Sequence, residues 1–161
     1  MADRQVEQAL QTLRLVVAAM IFGLVSFGAI TVFLITGGTM TSRAELARVL
    51  LPILGLLVLA EIPVYVVLRR AVLAKLRRIS DADSTEQIPT DQTIQSFTTL
   101  TIVGAALAEG PSLFGIIIFL LSGNWLAMVA PALGLLLLAA LLPTRGKFDH
   151  FTSGATKPGW R

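Results

Sequence analysis

The sequence predicts an all-α membrane protein, a bundle of four transmembrane helices with the N-terminus and the C-terminus both in the cytoplasm. Three observations lead there. Hydrophobic residues make up 55% of the 161-residue chain and charged residues only 14%, where soluble domains carry roughly a quarter charged. The apolar residues gather into four runs, at 15–35, 49–68, 97–121 and 125–142, close to the ~20 residues that cross a bilayer. The basic residues divide unevenly between the two sides that these runs define. With the N-terminus inside, the cytoplasmic side holds eleven Lys and Arg (Arg4, Arg14, Arg69, Arg70, Lys75, Arg77, Arg78, Arg145, Lys147, Lys157 and Arg161), and the outside only Arg43 and Arg48. Such a bias orients membrane proteins with their basic loops inward.

The chain is expected to form a single membrane domain. Residues 1–14 place Val6, Leu10 and Leu13 at helical spacing among Asp3, Arg4, Glu7 and Arg14, as a cytoplasmic lead-in to the first span. Its acids, and the length of the run that follows, argue against a signal peptide. Span one covers 15–35, roughly 30 Å of helix, and Gly37-Gly38 ends it. A short polar link with Arg43, Glu45 and Arg48 leads into span two, 49–68.

Residues 69–96 form the expected cytoplasmic loop. Its first part, 69–79, sets Leu73, Leu76 and Ile79 at three-residue spacing among Arg69, Arg70, Lys75, Arg77 and Arg78, which suggests a helix leaving the membrane along the headgroups. These five basic residues are candidates for binding anionic lipid or a protein partner at the cytoplasmic face. Its second part is acidic (Asp81, Asp83, Glu86 and Asp91), and Asp91 or Thr93 is placed to cap the third helix. Span three covers 97–121. Ser122-Gly123-Asn124 then turns the chain tightly into span four, 125–142, with Trp125 at an interface position. A disordered tail is expected over 144–161. Small residues four apart, Ala19/Gly23, Gly104/Ala108 and Ala130/Gly134, allow close helix contact in lipid and support bundle packing, nothing more specific.

Several functions fall away on composition. Cysteine is absent and His150 is the single histidine, so neither thiolate nor multi-histidine metal sites are expected, and His150 reads as a solvated tail residue. A net charge of +3 gives no nucleic-acid footprint. No nucleophile–base–acid arrangement is evident, no phosphate loop occurs, and no cofactor is expected. The chain is not predicted to be an enzyme.

The candidate site residues are Glu61 and Glu109, acids inside apolar spans, where a charge costs about 2.5 kcal/mol or more. Each sits in an Ala-Glu-Xaa-Pro motif, 60–63 and 108–111. Glu61 lies eight residues before Arg69, roughly 12 Å above the cytoplasmic boundary, and Glu109 twelve residues after Phe97, roughly 18 Å above it. Both reach mid-membrane. If the helices are neighbours the two carboxyls could approach and share a proton, since two dry carboxylates cannot both ionise cheaply. Pro63 leaves the carbonyl of Leu59 without its helical donor, and Pro111 that of Leu107. These freed carbonyls are supporting groups, able to accept from a protonated carboxyl or join it around a cation. Ser112, Thr98, Thr101 and Ser26 supply the other polar groups at depth.

The third span also resembles the ion-carrying helix of rotary-ATPase c subunits, the proteolipids of the membrane rotor. Ala108-Glu109 is followed by Leu113-Phe114-Gly115 and Ile116-Ile117-Ile118, where that family has a buried Glu, then Leu-Tyr-Gly and a β-branched run. The resemblance implies that Glu109 binds and releases H⁺ or Na⁺. It covers 108–118, and the family's glycine-rich partner helix has no counterpart in the other spans. Two functional classes therefore stand at this stage. One is an ion- or proton-handling subunit of a bacterial-type inner membrane, forming a homo-oligomer or part of a larger complex. The other is a non-catalytic assembly subunit whose acids only clamp helices together.

Overall fold

The computed structural model describes residues 2–38, 43–82 and 90–156; the side chains of 2–3, 73, 75–82, 90–91 and 153–156 lie outside that description. The chain is all helical there: α1 Ala2–Thr36, α2 Ala44–Ala82, α3 Thr90–Ser122, a 3₁₀ turn Trp125–Met128, α4 Val129–Leu141 and α5 Arg145–Thr156. Three of these helices are long and apolar enough to cross a membrane, or up to four if α4 with its 3₁₀ turn and α5, bent by 73° from each other, count as one.

Helix α3 is the centre of the bundle, and α1, α2 and α4 all pack on it. Half of its most apolar stretch is buried within the fold, against 17% for α1 and 6% for α2. Its apolar residues run all round the helix, as a surrounded helix requires. On one side Val17 and Leu24 of α1 close on Ala105, Ala108 and Ile116, with Leu138 of α4 completing the cluster. On the other, Leu54 of α2 meets Ile118, Phe119, Ala127 and Ala130.

The directions follow from which levels meet. Leu10 and Leu13 lie beside Ile94 and Phe97, and Gly28 lies beside Ile116, so α1 and α3 run parallel. Tyr65 meets Gly104 and Leu54 meets Ile118, so α2 runs against them. The tight turn then makes α4 antiparallel to α3. Gly123 takes a left-handed φ of 65°, where a side chain would be strained, and its amide donates to the Phe119 carbonyl at 2.8 Å. The Asn124 side chain accepts from the Leu126 amide at 2.9 Å and starts the 3₁₀ turn.

The α3–α4 seam uses the small residues that the sequence sets four apart. A Cβ at Gly134 would fall on Ser112 Oγ and 2.8 Å from the Ala108 carbonyl oxygen. Ala130 is buried in the same seam. The pair Ala19/Gly23 behaves differently: both are exposed, and Gly23 has nothing within 4 Å of its would-be Cβ. This pair makes no close helix contact among the described residues.

The helix suggested over 69–79 is present as the continuation of α2, which runs without a break to Ala82, and α3 begins at Thr90, so most of 69–96 is helical. Leu73, Leu76 and Ile79 sit at the spacing that sustains a helix, and only 83–89, with Asp83 and Glu86, separate the two; these lie outside the described residues. Asp91 and Thr93 consequently fall inside the first turn of α3 rather than at its cap. The tail expected to be disordered from 144 instead forms α5 as far as Thr156. Phe148 and Phe151, three apart on one helical face, both meet Phe97 edge-on, with ring centroids at 5.4 and 5.6 Å. That aromatic anchor secures a segment whose composition is otherwise polar. Residues 157–161 lie outside the description.

Candidate functional site

Glu61 occupies the inward stripe of α2. Leu54, Val58, Tyr65 and Leu68 share that stripe at alternating spacings of four and three, and all are buried or half-buried, whereas Leu59, Ile62, Pro63, Val64, Val66 and Val67 are exposed. The carboxyl is half-buried and borders two clefts. One, of about 470 Å³, runs between α2 and α4 with Gly104, Leu107 and Ala108 of α3 as its floor. The other, of about 330 Å³, lies on the opposite flank of α2 and is lined by Ala106, Leu107, Gly110 and Pro111 of α3.

The proline of the second motif therefore faces the acid of the first. Pro111 has no amide hydrogen to give the Leu107 carbonyl, and Leu107, Pro111 and Glu61 border one cleft. Within α2 the pairing fails. Leu59 and Pro63 are each two residues from Glu61, about 200° around the helix, and both lie on the exposed outer flank. The freed Leu59 carbonyl is thus on the far side of α2 from the Glu61 carboxyl.

Glu109 is half-buried on another face of α3. It shares that face with Ala105, Leu113 and Ile116, four before, four after and seven after, and these residues pack toward α1. Glu61 is level with Leu107, within ~3 Å of Glu109 along the axis, so the two acids lie at similar depth. They do not border a common cleft among the described residues, and the shared proton anticipated from depth alone has no geometry to support it.

Neither carboxylate has a hydrogen-bond or ion-pair partner among the described residues. Ser112 is otherwise engaged. Its hydroxyl donates to the Ala108 carbonyl at 2.6 Å and lies 3.4 Å from that of Ala130, which makes it part of the α3–α4 seam. Thr101 likewise donates back to Phe97, at 2.9 Å. No group of three or more His, Cys, Asp or Glu converges as a metal-ligand set among the described residues.

At the other end of α2, Arg69 and Arg70 are exposed. The backbone remains helical through Lys75, Arg77 and Arg78, whose side chains lie outside the description. Arg69 borders a third cleft, of about 330 Å³, together with Tyr65, Phe97, Thr101, Lys147, His150 and Phe151. This cleft is not apparent from the sequence, because α5 supplies three of those residues. Lys147 ties the corner by donating to the carbonyls of Ala140 and Leu142 at the end of α4. Arg14 does the same from α1, its Nε donating to the Pro143 carbonyl at 2.9 Å. The visible signal was the basic pair Arg145 and Lys147 just past Pro143, where cations meet the last carbonyls of a helix.

Comparison with protein families, with characterised proteins and with solved structures finds no match to this chain.

Proposed function

We propose that this is a small integral membrane subunit of four spans, with both termini cytoplasmic, that handles protons or small cations through Glu61, with Glu109 as a second acid. The observation that carries the reading is the setting of Glu61. It is an acid on the inward stripe of a membrane-crossing helix, without a polar partner among the described residues, in one cleft with Leu107, whose carbonyl Pro111 deprives of its helical donor. Such an intramembrane acid is by default a functional site. A protonated carboxyl there can donate to the freed carbonyl, and an ionised one can hold a cation against it. The orientation rests on eleven basic residues against two, and a bacterial-type inner membrane is part of the same proposal. Glu109 keeps its place through the c-subunit-like stretch 108–118, as an acid working on the α1 side of α3.

The second reading, an assembly subunit, has its own observation: α2 buries only 6% of its apolar stretch inside the chain. That flank is available to a second copy or to another subunit. The interhelical clamp version of this reading is weaker, since a clamp needs a partner and neither acid has one among the described residues.

The test is Glu61→Gln in reconstituted vesicles. On the ion-handling reading, pH- or Na⁺-dependent flux disappears while helix content and assembly stay intact, and Glu109→Gln reduces or abolishes it independently. Flux unchanged in both variants would refute the reading and leave the assembly function.

A further inference from the structure

Helices α2 and α4 stand apart over α3 and leave a groove between them. Toward mid-membrane it is apolar, walled by Val58 and Ile62 on α2 and by Leu133 and Leu137 on α4, with Glu61 the one charged residue among the described ones that line it. Toward the cytoplasmic end it opens into the cleft bordered by Arg69, Lys147 and His150. Tyr65, Ala140 and Leu141 line both parts, so the two are continuous. Gly104 makes the junction possible: a Cβ there would lie 3.0 Å from the Tyr65 ring and 3.5 Å from Leu141.

We propose that this groove binds a single anionic phospholipid, its phosphate between Arg69 and Lys147 and one acyl chain lying along α3 toward Glu61. Three observations argue for that occupant. The charge is one-sided, because among the described residues no carboxylate lines the outer cleft. Two of the three ammonium protons of Lys147 go to the carbonyls of Ala140 and Leu142, which fixes the cation at the cleft wall and leaves one proton for a ligand. Arg69 forms no ion pair among the described residues and offers a planar fork suited to phosphate. The length matches as well. Val58 to Arg69 spans roughly 16 Å of helix, about half of a ~30 Å hydrocarbon core, which is the depth of one leaflet. A soluble phosphate would use the basic cleft but not the apolar groove behind it.

The proposal shares the orientation given above, which makes this the cytoplasmic leaflet, but it does not depend on Glu61 carrying an ion. Lipid retention is read without flux, so loss of retention in Arg69→Gln and loss of flux in Glu61→Gln are scored separately and the two ideas fail separately. The experiment is native mass spectrometry of the detergent-released chain titrated with phosphatidylglycerol and, separately, phosphatidylcholine. The chain is expected to retain one phosphatidylglycerol in preference to phosphatidylcholine. Arg69→Gln should weaken that retention about five-fold, the scale of one basic side chain near an anionic surface. Arg70→Gln removes the same charge one residue away, outside the cleft, and should change it by less than about two-fold. Ala140→Phe, at the junction of the two parts, should exclude the chain with helix content unchanged. Equal losses in Arg69→Gln and Arg70→Gln, equal retention of the two lipids, or full retention in Ala140→Phe would each overturn the proposal. Complete competition by millimolar inorganic phosphate would overturn it in favour of a soluble-anion site.

Discussion

Gly134 offers the sharpest test of the bundle, because a single methyl group should act in opposite directions at two positions. At Gly134 the added carbon would meet Ser112 Oγ, the Ala108 carbonyl oxygen at 2.8 Å and Ser112 Cβ at 3.0 Å. Two of these belong to helix backbone or its first side-chain atom and cannot swing away, so α4 must shift off α3. Overpacking of this kind costs about 1–3 kcal/mol. The intrinsic preference of helix for Ala over Gly returns at most about 1 kcal/mol. Gly134→Ala should therefore destabilise by roughly 1–2 kcal/mol net. Gly55, inside α2, has nothing within 4 Å of its would-be Cβ, so Gly55→Ala keeps only the propensity gain and should be neutral to stabilising by up to about 1 kcal/mol. Ser112→Ala removes the nearest atom and should recover part of the Gly134→Ala loss, with a coupling of about 1 kcal/mol in a double-mutant cycle. Reversible unfolding in bicelles or mixed micelles measures all four. Gly134→Ala as stable as the parent, or the same sign at both glycines, would refute the α3–α4 packing.

Other perturbations reach different parts of the chain. Phe148→Ala removes a buried ring that meets Phe97 at 5.4 Å and should release α5 at a cost of about 3 kcal/mol; hydrogen exchange at 145–156 should rise while α3 stays protected, and unchanged exchange would detach α5 from that anchor. A cysteine reporter at Asn124 should label from outside and one at Ser153 only after permeabilisation, and the reverse pattern would invert the proposed orientation. Neutralising Arg77 and Arg78 together should weaken binding to anionic vesicles by about 1 kcal/mol per charge with the spans still inserted; unchanged binding at moderate salt would remove this segment from lipid recognition.

What was legible in the sequence was whatever depends on position along a helix. The apolar runs 15–35, 49–68 and 97–121 fall inside α1, α2 and α3, since burying backbone in lipid leaves helix as the solution. The depths of Glu61 and Glu109 agree for the same reason: both are a count of residues. Rotation about the axis is a different quantity. α3 is apolar on every face, so nothing in its pattern tells which side receives α1 and which α2, and the acids turned out to face different neighbours. Prolines mislead similarly, because an Ala-Glu-Xaa-Pro motif reads as one local unit while the fold pairs Glu61 with Pro111 from the other copy. Helix α5 was missed because its stability comes from two phenylalanines meeting a ring fifty residues upstream, which no local pattern in a polar segment reports.

Helix α2 runs unbroken from Ala44 to Ala82, and this has a mechanical consequence. Its basic end and its half-buried acid belong to one helix, with no loop between them. The segment from Pro63 to Ala82 is a lever of roughly 28 Å, and Pro63, where a helical hydrogen bond is missing, is its compliant point, two residues from Glu61. A lateral displacement of ~5 Å at the far end tilts such a lever by about 10°. The rotation is centred beside the carboxyl, where the helix touches little but α3. A sideways displacement of the Ala82 end would therefore reach Glu61 as a change in the width of its clefts.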